Sequence, residues 1–253
     1  MRVLVTRPRP QADDWVVALR QHDVDAHALP LIAIDAPSDP GPVVAAWHGL
    51  GRHDLAMFVS PNAVVRFFAL RRDGLAWPEH TLAGSTGPGT SRALREAGVP
   101  ETLIVEPAAD APRFDSEALW QHLQPLRDWS GAGVMIVRGE SGRDWLASAL
   151  ADRGARVSFV EAYRRDVPSL DGDDLARLQQ AIDQPAHHVW VFSSSQAIEH
   201  LARLAPDASW QHARAVASHE RIAEHAEKAG FGEVRRAAPT LQALLNALHE
   251  AGA

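Results

Sequence analysis

The feature that most constrains this fold is the repeated alternation of short β-branched segments with segments of helical periodicity. Short apolar runs predict buried strands, and apolar residues at helical spacing predict amphipathic helices. Helical patterns follow nearly all strand candidates, which predicts parallel sheets covered by helices on both faces. The strand candidates are Arg2–Thr6, Leu55–Ser60, Thr81–Gly84, Glu101–Val105, Val134–Val137, His188–Phe192, Arg214–Ala217 and Glu233–Arg236. The helix candidates include Pro10–Gln21, Asn62–Arg72, Thr90–Ala97, Ser116–Leu123, Arg143–Arg153, Ser195–Leu204, Arg221–Ala229 and Thr240–His249.

An internal repeat indicates two related α/β lobes. FVSPNAVVRFF (58–68) is similar to FSSSQAIEHLA (192–202), and GTSRALREAG (89–98) is similar to RIAEHAEKAG (221–230). Each pair lies in the same order on a strand–turn–helix unit, as expected when one structural unit occurs twice.

Segments rich in proline and glycine set the predicted lobe boundaries. PLIAIDAPSDPGP (30–42) follows the first βαβ-like unit, and RDVPSLDG (165–172) precedes the C-terminal third. The first unit is too small to form a core alone. We therefore predict one lobe from residues 1–35 and 166–253, and a second from residues 36–165 that includes a connector strand. Extended segments at Leu31–Asp35 and Val157–Tyr163 would join the lobes, with a ligand cleft between them.

Polar turns follow the predicted strands and favour anion binding. IVRGESGRDWL (136–146) places Arg138 and Arg143 on either side of a Gly-x-x-Gly turn, and similar turns occur at Thr6-Arg7-Pro8, Ser60-Pro61-Asn62, GSTGPGT (84–90) and Ser193–Ser195. Ser141 and Asp144 also have the spacing of a helix capping box. Taken singly, each of these turns is better explained by helix capping or chain reversal than by binding. Five of them at one expected edge favour a site of hydroxyls, backbone N–H groups and arginines.

Composition and motif spacing disfavour several other functions. The net charge of −7 argues against general nucleic-acid binding, and no apolar run approaches the length of about 20 residues needed to span a bilayer. The absence of cysteine excludes disulfides, thiolate nucleophiles and cysteine-ligated metals and is consistent with a cytosolic chain. A zincin motif beginning at His219 would need its second histidine where Ala223 stands, so no metal site is predicted. GSTGPGT has neither Walker A nor Rossmann glycine spacing, and the serine run 193–195 lacks a nucleophile elbow.

The motifs in order resemble the uroporphyrinogen-III synthase family over essentially the whole chain. These motifs are LVTRP, FVSPNAV, GPGTSRALREAG, VRGESGRDWLASALADRGARVSFVEAYRR, VFSSSQAIEHL and RIAEHAEKAGF. The resemblance implies an α/β fold of two flavodoxin-like parallel-sheet lobes joined by a two-stranded β connector. In that fold the C-terminal part of the chain completes the first lobe.

The resemblance also implies a reaction in haem biosynthesis. Its substrate is hydroxymethylbilane, a linear tetrapyrrole with an acetate and a propionate on each ring. Loss of the terminal hydroxyl as water gives an azafulvene, ring D is inverted through a spiro intermediate, and the macrocycle closes as uroporphyrinogen III. No cofactor or metal takes part in this lyase reaction. A cytoplasmic monomer is expected, with no nucleic-acid or membrane partner and with transient contacts to the preceding and following pathway enzymes.

The resemblance assigns site residues one position at a time. Tyr163, the only tyrosine, matches the family tyrosine proposed to assist departure of the hydroxyl. Thr90 matches the threonine of the glycine-containing loop, although Ser91 replaces the usual alanine. Ile222 stands where many members have the equivalent threonine of the second lobe, and Arg221 is the neighbouring charged donor. The remaining substrate-binding positions carried over are Arg7, Ser60, Arg138, Arg143 and Ser194.

Two other functions are compatible with parts of the sequence. A two-lobe tetrapyrrole-binding or regulatory module could keep the scaffold without catalysis. A third possibility is a nucleotide-dependent α/β enzyme. The first would leave hydroxymethylbilane to cyclise to the type I isomer, and the second would bind ATP or NAD.

Overall fold

The computed structural model describes residues 1–108, 111, 113–140 and 142–250. The chain divides into two compact units. Unit 1 comprises Met1–Ala33 and Asp166–Ala253, and unit 2 comprises Ile34–Arg165.

Strands and helices alternate along most of the chain. The strands are β1 (Arg2–Val5), β2 (Ala26–Ala28), β3 (Ala33–Asp35), β4 (Leu55–Phe58), β5 (Leu82–Ser85), β6 (Ile104–Val105), β7 (Gly133–Gly139), β8 (Arg156–Asp166), β9 (His188–Phe192), β10 (Arg214–Ala217) and β11 (Glu233–Arg236). The helices are α1 (Gln11–Arg20), α2 (Gly41–Gly49), α3 (Pro61–Phe68), α4 (Pro88–Glu96), α5 (Ser116–Leu123), α6 (Trp145–Ala151), α7 (Gly172–Asp183), α8 (Ser195–Leu204), α9 (Glu220–Lys228) and α10 (Leu241–Glu250).

The described strands form two sheets. The sheet of unit 1 has the order β11-β10-β9-β1-β2, and all of its neighbouring strands are parallel. The second sheet has the order β3-β8-β7-β4-β5-β6, with parallel pairing from β8 to β6. The predicted α/β class with parallel sheets is confirmed. Parallel strands end at one edge of a sheet, so the residues that follow them are brought together there.

The central strands β4 and β9 are buried on both faces, which explains why they are apolar without interruption. In β4, Leu55 and Met57 belong to one buried cluster, whereas Ala56 and Phe58 belong to another. Successive side chains of a strand point to opposite faces, so a strand between two helical layers must be apolar at every position.

The two copies of the internal repeat have matching local structures. Ser60 caps α3 by accepting a hydrogen bond from the Ala63 N–H at 3.2 Å, and Ser194 caps α8 by accepting one from the Gln196 N–H at 3.2 Å. Gly98 and Gly230 follow α4 and α9 with φ values of +88° and +94°, a conformation in which glycine ends a helix without steric cost. The similarity in sequence therefore reflects a serine N-cap and a glycine helix end in both units, although the cap bond reaches three residues on in one and two in the other.

The structure also corrects several sequence predictions. Strand β2 is the second strand of the predicted βαβ-like first unit, for which no bounds were predicted. Helices α2 and α7 were not among the predicted elements, and the predicted strand Glu101–Val105 is a 3₁₀ turn followed by the short β6. Helix α6 begins at Trp145, so Arg143 lies before the helix rather than in its first turn. Asp144 is the N-cap residue but forms no side-chain capping bond, and Ser141 of the predicted capping box lies outside the described residues.

Replacing Gly232 by alanine should destabilise unit 1 by at least about 2 kcal/mol, as measured by denaturant unfolding. A Cβ atom there would lie 1.8 Å from the Gln211 carbonyl oxygen, which is held in the backbone. Gly172→Ala is the matched control, because nothing lies within 4 Å of its added Cβ. That variant should change the free energy of unfolding by at most about 1 kcal/mol. Equal stabilities of the two variants would contradict the steric argument.

Candidate functional site

The carboxyl edge of the second sheet brings several predicted site residues together. Strands β8, β7, β4 and β5 are neighbours in that order. Tyr163 lies on β8, Arg138 lies near the end of β7, and Ser60 follows β4. The parallel topology thus explains why residues far apart in sequence meet at one edge.

Tyr163 is buried, and its hydroxyl meets the hydroxyl of Ser60. The ring is 2% exposed, and the Tyr163 Oη and Ser60 Oγ atoms are 3.3 Å apart, with either one able to donate. Ser60 also caps α3, which fixes the position of its side chain. The two hydroxyls form a pair that can pass or hold a proton at the end of β4.

Gly139 allows the Tyr163 ring to occupy this position. A Cβ atom at residue 139 would lie 2.8 Å from Tyr163 Cε2 and 3.0 Å from Cζ. The pairing of β7 with β8 shifts here, because Arg138 is opposite Glu161 whereas Gly139 is opposite Tyr163. The extra residue, Ala162, forms a bulge in β8, and a bulge re-aims the side chains beside it. Glycine and the bulge together place the ring beneath the end of β7.

Arg138 is held by three contacts within unit 2. Its guanidinium is paired with the Asp144 carboxylate at 2.5 Å, donates to the Gly142 carbonyl at 3.2 Å and lies 4.8 Å from the centre of the Phe159 ring. The Arg138 side chain is 12% exposed, whereas that of Asp144 is 64% exposed. The arginine predicted to bind a ligand anion therefore already holds a carboxylate of its own loop.

Arg143 pairs with an acid from another helix. Its Nη1 atom lies 3.3 Å from Glu117 Oε1 on α5. The arginine side chain is 64% exposed, and an exposed ion pair of this kind contributes at most about 1 kcal/mol. An incoming anion can displace such a contact at small cost.

The glycine-containing loop after β5 is closed by its own hydrogen bonds. Ser85 Oγ donates to the Gly87 carbonyl at 2.9 Å and accepts from the Gly87 N–H at 3.2 Å. Ser91, at the position where the alanine is usual, donates to Ser85 Oγ at 2.9 Å. Both serines are fully buried, and Thr90 is 3% exposed. Because the Gly87 N–H is used within the loop, it is not directed at a phosphate.

Arg7 lies at the carboxyl edge of the sheet of unit 1. Its guanidinium stacks 5.1 Å from the centre of the Trp15 ring and lines a small pocket together with Ser193 and Ser218. Within the described residues, no carboxylate forms an ion pair with it, and burial lowers the pKa of the Arg7 guanidinium from its ordinary value. A half-buried cation beside two serine residues is suited to an anion, because an opposite charge would offset its loss of hydration.

The remaining predicted residues of unit 1 lie at helix starts. Ser194 is the N-cap of α8, whereas Arg221 is exposed in the first turn of α9. Ile222 is 4% exposed, so the side chain at the position where many members have a threonine packs into the core. Arg221 is therefore the solvent-facing cation beside that position.

The described residues contain neither a metal cluster nor a membrane-crossing helix. No group of three or more His, Asp or Glu side chains there is arranged to hold a metal ion. None of the helices in this part of the chain is both long enough and apolar enough to cross a bilayer.

Sequence comparisons identify the family. A family model described as uroporphyrinogen-III synthase HemD matches residues 13–246. The uroporphyrinogen-III synthases of Salmonella typhimurium and Escherichia coli are each 30% identical to this chain over 242 residues, covering 93% of it and 94% of each relative. The chain belongs to the uroporphyrinogen-III synthase family.

Solved structures support the fold. A mutant uroporphyrinogen III synthase from Thermus thermophilus has a TM-score of 0.55 at 19% identity, covering 99% of this chain and 98% of that one. The enzyme from Helicobacter pylori has a TM-score of 0.59 at 15% identity and covers 99% of both chains. At these identities the likeness establishes an α/β fold with parallel sheets.

Several residues that shape the candidate site were not predicted from the sequence. Asp144 and Phe159 hold Arg138, Gly139 makes room for Tyr163, and Ser85 closes the glycine-containing loop. The available signals were weak. Unless the fold is known, nothing in the six-residue spacing of Ser85 and Ser91 or in the glycine at the end of β7 indicates a functional site.

Ser60→Ala and Ser194→Ala form a matched pair that isolates the contact between Ser60 and Tyr163. Each variant loses a helix cap and should lose about 1 kcal/mol in denaturant unfolding. Because Tyr163 is the only tyrosine, carbon-13 labelling of the tyrosine ring gives signals from this residue alone. Those signals should shift in Ser60→Ala and stay in place in Ser194→Ala. Identical spectra for both variants would contradict the hydroxyl pair.

Proposed function

We propose that this chain catalyses the uroporphyrinogen-III synthase reaction on hydroxymethylbilane. The observation that carries the proposal is the hydroxyl pair of Tyr163 and Ser60, 3.3 Å apart at the carboxyl edge of a parallel sheet, in a chain that belongs to this family. The reaction removes the terminal hydroxyl as water, inverts ring D and closes the macrocycle. Because the uncatalysed closure gives the type I isomer, the protein must hold the reactive intermediate in one geometry.

Tyr163 is proposed as the catalytic residue. Its phenol would donate a proton to the departing hydroxyl, which leaves as water and gives the azafulvene. Ser60 would orient the phenol, since its own oxygen is fixed by the cap of α3. The carbon that forms the final ring bond later loses a proton, which restores the phenol. The protons balance, and water is the only other product.

Arg7, Arg138, Arg143 and Arg221 are proposed to bind substrate carboxylates, assisted by Ser194 and Thr90. The chain carries a net charge of −7, so its overall field repels a polycarboxylate and the attraction must be local. Arg7 is the best suited of the four, because burial disfavours its charge unless an anion is present. Arg138 would exchange the Asp144 carboxylate for one from the substrate.

We further infer that the two compact units correspond to two flavodoxin-like lobes, with β3 and β8 forming the connector. Adjacent positions of β3 and β8 in one sheet support this assignment. A cytoplasmic monomer that contacts its neighbouring pathway enzymes only transiently, and that needs no cofactor, is proposed from the family resemblance.

The two other functions have less support. An inactive binding module would not need the contact between Tyr163 and Ser60. A nucleotide-dependent enzyme would need backbone donors directed at a phosphate, whereas the Gly87 N–H is bonded to Ser85 Oγ and a Cβ at Gly87 would lie 3.0 Å from Phe114.

The purified protein should convert hydroxymethylbilane mainly to uroporphyrinogen III, measured by chromatographic separation of the type I and type III isomers. Tyr163→Phe should lower kcat on the order of 10²-fold while the protein stays folded, because it removes one general acid. Type I product alone at the spontaneous rate would favour the inactive module. Wild-type turnover by Tyr163→Phe would reduce Tyr163 to a packing residue.

Asp144→Asn should tighten binding of uroporphyrinogen III about twofold to fivefold, because it releases Arg138 from an exposed ion pair. Arg138→Gln should weaken binding about tenfold, and both effects should shrink at high salt. Asp152→Asn is the charge-matched control at the other end of α6. If Asp144→Asn and Asp152→Asn bind product equally, the proposed exchange of carboxylates is wrong.

A further inference from the structure

The amino-terminal edge of the sheet of unit 1 carries a group of basic side chains that the synthase reaction does not use. Arg2, His188 and Arg214 stand at the starts of β1, β9 and β10, which are neighbours in the sheet. Arg2 is directly opposite His188 in the register of β1 and β9. This edge is opposite the one that carries Arg7 and Ser194, because all strands of the sheet run parallel.

These side chains line an open pocket of about 510 Å³, a size within the range of about 300–1,000 Å³ that small-molecule sites have. Arg2, Arg214, His187 and His188 contribute basic groups to its wall, and Gln180 and Gln184 contribute neutral amides. Among the described residues that line the pocket, Asp25 is the single acidic one. The lining is therefore rich in basic groups in a chain whose net charge is −7.

The contacts of Arg2 and Arg214 hold both guanidinium groups at the pocket wall. Arg2 donates to Gln180 Oε1, and its Nε lies 3.5 Å from Asp25 Oδ2, while Oδ1 of the same carboxylate is 2.8 Å from His27 Nε2. Arg214 donates to the Ala186 carbonyl at 3.0 Å. The Asp25 carboxylate is thus shared by Arg2 and His27. Arg2 and Arg214 are each also held by a neutral oxygen.

His188 adds an imidazole whose protonation can respond to a bound anion. It is 2% exposed, and its Nδ1 atom is 2.9 Å from the Gln184 carbonyl, an arrangement that places a proton on Nδ1. Protonation of Nε2 would therefore create a second donor. Burial lowers the pKa of His188 from its ordinary value, the bond to the Gln184 carbonyl opposes this shift, and the charges of Arg2, His187 and His27 add to it.

We propose that this pocket binds a divalent tetrahedral oxyanion, either free phosphate or the phosphate group of a monoester, at a site separate from the tetrapyrrole site. Two arginines supply fixed charge and forked donors, which suit a tetrahedral dianion better than a single carboxylate. The glutamine amides supply neutral donors at the same wall.

Binding should strengthen as the pH falls. The charged and titratable groups at the site are the Met1 amino terminus, Arg2, Arg214, Asp25, His27, His187 and His188. The bound dianion favours the protonated form of His188 and raises its pKa, so binding takes up a proton. Affinity therefore rises as the pH falls from about 7.5 to about 5.5, by up to tenfold per pH unit for one proton.

Sulfate is the first probe, because it remains a dianion across this range and any pH dependence then belongs to the protein. The melting temperature is measured against sulfate concentration, with sodium chloride holding ionic strength constant. Binding at a site gives a saturable rise in the melting temperature, whereas the general stabilisation of proteins by sulfate does not saturate. Inorganic phosphate and glycerol phosphate are then compared, and tighter binding of the monoester would assign the site to a phosphorylated metabolite.

The dissociation constant for sulfate should rise about tenfold in Arg2→Gln and in Arg214→Gln and stay unchanged in Arg235→Gln. Arg235 is a matched control on β11 that pairs with Glu233 and Glu250 and does not line the pocket. If Arg2→Gln does not fold, Arg214→Gln and His187→Gln give the same test. A non-saturable rise, or equal binding by all folded variants, would overturn the proposal. Synthase activity is measured separately and tests the proposed function.

Discussion

The close approach of Gly139 to the Tyr163 ring is the contact on which the candidate site depends. A side chain at residue 139 would meet the ring at 2.8 Å, and the bulge at Ala162 brings Tyr163 rather than its neighbour beneath the end of β7. With the ring fixed there, its hydroxyl is 3.3 Å from Ser60, the cap of the next helix. The position of one phenol thus rests on a glycine, a bulge and a helix cap, all set by parallel strand pairing.

The sheet of unit 1 has two chemically different edges. At its carboxyl edge, Arg7 is half-buried beside Trp15 and lines a pocket with Ser193. At its amino edge, Arg2 and Arg214 line an open pocket whose described lining includes one acidic residue, Asp25. Ligands of parallel sheets ordinarily lie at the carboxyl edge, where helix N-termini also point. The proposed site at the amino edge depends instead on side-chain charge, so binding there should be the more sensitive to pH and to single arginine substitutions.

The sequence was sufficient to predict the α/β class and most strands, because buried parallel strands are apolar at every position. It also predicted Ser60 and Ser194 at strand ends, since a hydroxyl before an amphipathic segment is a cap signal. It missed α7, although Asp171 caps that helix. The partners of Arg138 and Arg143 could not be read from the sequence. Asp144 is one of several nearby acids, and Glu117 reaches Arg143 only through the packing of α5.

An acidic protein that binds a polycarboxylate must keep its few site cations from pairing permanently with its own acids. The ion pairs here differ in how easily they can be exchanged. Arg7 has no carboxylate partner among the described residues, Arg143 has an exposed one, and Arg138 is itself covered but holds the exposed Asp144. Exposed pairs contribute at most about 1 kcal/mol, whereas a hydrogen bond to a charged group in a less hydrated setting contributes about 1.5–3 kcal/mol. Under the proposed function, substrate carboxylates would displace the internal partners of Arg138 and Arg143, while Arg7 has no carboxylate partner among the described residues to lose.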